Sequence, residues 1–126
     1  IDEAFATYAS LLAMETIYGE REFGKRIEKY RNRIEDAENL SSIKSIKRQD
    51  PNAQLIFYVY GSLILHEIRQ RIGREKFIEF MHRFAQKCLK EDNIVTGDLV
   101  EALEAVTGDE WVSFIDERLS MRPKPI

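Results

Sequence analysis

The chain has 126 residues, 44% hydrophobic and 33% charged, with a formal net charge of −3. That length closes one core, the apolar fraction excludes wholesale disorder, and only six glycines and three prolines exclude collagen-like or low-complexity sequence. With 19 basic residues against 22 acidic, no excess is left to neutralise phosphates, so no nucleic-acid partner is expected; the single cysteine, Cys88, builds neither an internal disulfide nor a CxxC pair.

Ile1, Asp2 and Glu3 open the chain without the charged n-region of a signal peptide. The expectation is that something upstream was removed, or that the chain is a piece of a longer protein. From Ala4 to Met14 there is no charge. Phe5, Tyr8 and Leu12 recur at helical spacing with alanines between, which predicts a helix buried on nearly every side and stopped by Gly19. Glu20 to Leu40 carries one stripe, Phe23, Ile27, Tyr30, Ile34 and Ala37, amid Arg, Lys and Glu. It predicts an amphipathic surface helix with a solvated charged face.

Ser41 to Asn52 reads as a surface loop with a small basic cluster, Lys44, Lys47 and Arg48. Asp50-Pro51 ends it as an N-cap followed by Pro at the first helical position. Ala53 to Ile72 is strongly apolar, and its spacing over several turns up to Gly73 favours a helix over a strand. Gly61 inside that helix needs a packing reason. Phe77, Phe80, Met81, Phe84, Ala85 and Cys88 form the next stripe; Leu99, Leu103 and Val106 form a short helix. Thr107 to Glu110 has capping-box spacing and is expected to open a last helix from Trp111 to Leu119. The expected fold is all-α, a bundle of about six helices, with a single domain over residues 1–120 and a tail over 121–126. No stretch is long enough to span a membrane.

Chemistry-bearing residues are few. His66-Glu67-Ile68-Arg69-Gln70 approaches the zinc motif His-Glu-x-x-His, in which two imidazoles one turn apart face one metal. Gln70 stands where the second ligand belongs, so His66 reads as a half-buried helix residue. His82 and Cys88 have no partner at metal spacing. Glu3 carries two readings: a first-turn carboxylate complementing the helix dipole, or a lone ligand delivered to a cavity by a buried helix. Tyr58 likewise is either core packing or a phenol aimed at developing negative charge.

Ile1-Asp2-Glu3-Ala4-Phe5-Ala6-Thr7-Tyr8 resembles the segment Leu-Asn-Glu-Gly-Phe-Ala-x-Tyr of the aminopeptidase N-type zinc peptidases, the gluzincin family that includes leukotriene hydrolase. Tyr58-Val59-Tyr60-Gly61 falls where that family has Tyr-Glu-Lys-Gly. The run from Leu65 through Ile72-Gly73 to Phe77 and the stretch Thr96 to Phe114 follow the family's order without a gap. The resemblance implies the helical C-terminal lobe of a thermolysin-like catalytic domain.

It implies further that Glu3 is the third zinc ligand, about twenty residues after a His-Glu-x-x-His helix. Tyr58, chosen over Tyr60 by the count back from Gly61, is implied to stabilise the oxyanion. Ala4 stands for the family's Gly and Asp2 for its Asn, while Val59 and Tyr60 replace Glu and Lys, which points to a divergent branch. Neither the His-Glu-x-x-His helix nor the Gly-x-Met-Glu-Asn-type segment is in this sequence. The resemblance thus implies a zinc metallopeptidase parent, an aminopeptidase-type hydrolase acting on peptides. This chain would lack activity and bound zinc by itself, and its partner would be the missing N-terminal part of the catalytic domain. The alternative is a helical interaction module with no catalytic role.

Overall fold

In a computed structural model, residues 2–126 are described, with Asp2 described by its backbone alone; Ile1 lies outside the described residues. The protein is all-helical: α1 (Asp2–Tyr18), α2 (Glu20–Asp36), a π-helix (Leu55–Tyr60), α3 (Gly61–Ile72), α4 (Arg74–Lys90), α5 (Thr96–Thr107) and α6 (Val112–Ser120), with no strand among the described residues. No described helix is long and apolar enough to cross a membrane. Gly19 and Gly73 end α1 and α3 at φ of 92° and 85°, a left-handed backbone that only glycine takes without strain.

Two units can be distinguished, residues 1–67 with 119–126, and residues 68–118. In the first, α1 buries Ala4, Tyr8, Leu11 and Glu15, and α2 buries Phe23, Ile27 and Ile34, each set at helical spacing. The Tyr8 ring meets Phe23 edge-on at 6.2 Å. The expectation of a helix buried on nearly every side is corrected for α1. Ala6, Ser10 and Ala13 are exposed, and Ile17 and Tyr18 are 72% and 67% exposed. Small and apolar residues on every face leave the buried side undetermined until a neighbour chooses it.

Helix α2 stops at Asp36, short of the predicted Leu40. The Asp50 carboxylate accepts the Asn52 amide at 2.8 Å, but this bond closes a turn. Pro51 and Asn52 precede the helical residues, which begin at Ala53, so the expectation of Asp50 as N-cap with Pro51 as first helical residue is corrected. The segment after it is helical but begins with the π-turn, in which Ile56 O accepts the Gly61 amide five residues on. Ser62, fully buried, donates its hydroxyl to Tyr58 O at 2.6 Å.

Gly61 finds its packing reason here. A Cβ placed on it would lie 2.5 Å from Ala4 Cβ. Helix α1 and the segment at Gly61 therefore approach closely enough that only one of the two positions carries a methyl group.

The second unit closes around Phe77, Phe80, Phe84, Leu99, Leu103 and Ile115, all buried. The expected capping box at Thr107 is corrected. Thr107 is the last residue of α5, its hydroxyl donates to Leu103 O at 2.9 Å, and it accepts the Asp109 amide and the Trp111 indole N–H, the latter at 2.9 Å. Glu110 serves α6 instead, accepting the Ser113 amide. Asp98 plays the comparable part for α5, accepting the Val95 amide at 2.9 Å.

Candidate functional site

Glu3 sits in the first turn of α1 with its side chain 20% exposed. Arg48, from the loop between α2 and the π-helix, reaches it with Nη2 2.9 Å from Oε1. Partial burial works against the charged carboxylate, but the hydrogen bond from its own backbone amide and that from Arg48 outweigh it, so the carboxyl lies below its ordinary range. The Arg48 guanidinium also lies over the Phe57 ring, 5.4 Å from its centroid. The basic surface loop thus ties Glu3 to the residue beside Tyr58. A basic residue 45 positions from its carboxylate carries no local signal of that pairing.

Tyr58 is 41% exposed, whereas Tyr60 is completely buried. Tyr58 opens on a pocket of about 380 Å³ that it shares with Thr7, Tyr30, Arg33, Gln54 and Val59. Thr7 stands one turn along α1 from Glu3, on the same helix face. The Tyr58 pocket and the Glu3–Arg48 pair therefore occupy neighbouring stretches of α1 and the π-helix. Tyr30 and Arg33 carry no site signal in the sequence beyond their three-residue spacing across the edge of the apolar stripe, where Tyr30 reads as stripe and Arg33 as solvated face.

His66 is half-buried, as its position suggested. Its Nδ1 lies 2.8 Å from the Tyr8 hydroxyl and its ring 5.5 Å from that of Phe23. Cys88 is in no disulfide and is of intermediate exposure.

A protein zinc site needs at least three converging ligands. Among the described residues no three His, Cys, Asp or Glu side chains converge where they could hold a metal. Glu3 is one carboxylate, already paired with Arg48. The residues present do not fit a zinc ion on their own.

The Peptidase family M1 domain matches residues 1–118. The chain belongs to this family of metallopeptidases, which are generally zinc enzymes acting on peptides. Neither the curated proteins nor the solved structures contain a match to it.

Proposed function

We propose that this chain is the C-terminal helical lobe of an aminopeptidase-like catalytic domain, contributing Glu3 as one zinc ligand and Tyr58 as the donor to the oxyanion. The observation that carries the reading is the contrast between the two tyrosines of the π-helix: Tyr58 opens on a pocket, and Tyr60 has no exposed surface at all. Exposure favours the first as the one to meet a substrate, and the count back from Gly61 matches the same residue to the family's tyrosine. Its location adds support, because π-turns are rare and concentrate at functional sites.

Chemically, a phenol held at the mouth of a pocket can donate a hydrogen bond to the oxygen of a scissile carbonyl as negative charge develops there. The turn around Tyr58 is braced by the Ser62 hydroxyl, which donates to the Tyr58 carbonyl at 2.6 Å on the backbone from which the phenol projects. The Glu3 carboxyl, held below its ordinary range by its own backbone amide and by Arg48, is in the ionised state a carboxylate ligand requires, and a metal would take Oε1 in place of Arg48. The metal's chemistry belongs to a complete ligand set, of which this chain supplies one member. The 126 residues hold no His-Glu-x-x-His and hence no general base of that kind, so the chain on its own hydrolyses nothing.

Three measurements test this. Calorimetric titration of the chain with zinc should show no discrete site; a single micromolar or tighter site overturns the incompleteness. The parent gene should encode a His-Glu-x-x-His about twenty residues before Glu3, and an unrelated domain there overturns the assignment. In a catalytic domain carrying both segments, Tyr58→Phe should lower kcat by about 10²–10³-fold with little change in KM, as for loss of an oxyanion donor. Unchanged turnover removes Tyr58 from the reaction.

A further inference from the structure

The pocket beside Tyr58 has a one-sided chemistry. Thr7, Tyr30, Gln54 and Tyr58 each offer a hydrogen-bond donor, Arg33 adds a permanent cation, and no carboxylate lines the wall. Three elements converge to form it: α1, α2 and the segment of the π-helix. Its volume, about 380 Å³, falls in the small-ligand range of about 300–1,000 Å³.

Arg33 has nothing to hold, and among the unpaired basic residues of α2 it is the one that lines this pocket. Arg31 donates to Ile126 O and to the Glu28 carboxylate, and Arg48 is paired with Glu3. Arg33 has neither an ion pair nor a side-chain hydrogen bond among the described residues. An unpaired arginine on a convex helix face is simply hydrated. This one stands in a concavity beside two phenols and an amide, where a planar anion can take the guanidinium fork and further donors together.

We propose that this pocket binds a carboxylate group of a peptide, with Arg33 receiving it and Tyr30 and Gln54 supplying further donors. That the anion belongs to a peptide rests on the peptidase reading above; the selectivity for a carboxylate rests on the pocket alone. The carboxylate is either a chain end or an acidic side chain, and the two are separable by experiment.

The test is a titration of the isotopically labelled 126-residue chain, following the amide resonances of Gln54 and Val59. The probes are N-acetyl-glycylglycine, its C-terminal amide, and N-acetylglutamic acid α-amide. Saturable shifts with one or both carboxylates and none with the uncharged amide are expected, and the tighter of the two acids identifies the source. Arg33→Gln should weaken that binding about tenfold or more, the value of a charge-assisted pair. Arg26→Gln, on the same helix and outside the pocket, should leave it unchanged. Equal shifts from acid and amide, no saturable shift from either acid, or unaltered binding in Arg33→Gln overturns the proposal. Because this readout involves no turnover, it can fail while Tyr58→Phe still lowers kcat as expected, or succeed while Tyr58 proves irrelevant.

Discussion

Replacing Gly61 by alanine tests the close approach that organises the first unit. The added Cβ would stand 2.5 Å from Ala4 Cβ, and Ala4 is fully buried, so neither methyl can swing aside. Forcing a carbon into such a crossing costs about 2–3 kcal/mol, the upper part of the range for overpacking. Against it, alanine in place of a helical glycine gains about 1 kcal/mol. The expected net loss is therefore about 1–2 kcal/mol, although helix propensity alone predicts a gain. Ala4→Gly by itself should cost about 1–2 kcal/mol, from lost propensity and one buried methyl group.

The combination is the decisive part. In Ala4→Gly/Gly61→Ala the methyl group crosses to the other helix and the propensity terms cancel. The double variant should then lie within about 0.5 kcal/mol of the parent, a coupling of about 2–3 kcal/mol. Urea unfolding of the four proteins supplies the cycle. A Gly61→Ala protein as stable as the parent, or a double variant that loses the sum of its parts, refutes the close crossing as the reason for Gly61.

Two further outcomes follow from the second unit. The Val95 amide bond and the Lys87 ammonium, 3.0 Å away, lower the Asp98 carboxyl below its ordinary value. A depressed folded-state value means that Asp98 adds stability above the ordinary carboxylate range, and that this contribution is lost as pH falls through the lower folded value. The acid limb of the stability–pH curve should flatten in Asp98→Asn, and an identical slope in both proteins excludes Asp98 as a contributor. Thr107→Val removes the acceptor of the Trp111 indole N–H while keeping the side-chain volume. It should cost about 1–3 kcal/mol by leaving a buried donor unsatisfied, with Thr107→Ser close to the parent. Denaturation followed by Trp111 fluorescence reads both, and a valine variant of unaltered midpoint contradicts the network.

The helices were legible because their signals are local. The stripe Phe23, Ile27 and Ile34 and the stops at Gly19 and Gly73 each lie within one or two turns of sequence, and all are present in the fold. Thr107 shows the limit of such signals. Its spacing to Glu110 suits a capping box, but the preceding helix claims Thr107 as its final residue, and its hydroxyl serves Leu103, Asp109 and Trp111. The candidate site was legible only through its resemblance to a known family at Glu3 and Tyr58. Periodicity treats both as ordinary helix positions.

By itself, the sequence determined an all-helical chain of the M1 peptidase family, because helical periodicity and motif order are properties of residues near one another along the chain. Tertiary structure decided what depends on distant neighbours. It selected the buried face of α1, where apolar residues on every side left the choice to packing. It gave Gly61 its purpose through Ala4, and it drew Arg48 to Glu3 across 45 positions. It also exposed Tyr58 and buried Tyr60 by setting both in a π-turn, whose shifted hydrogen bonding no simple helical period describes.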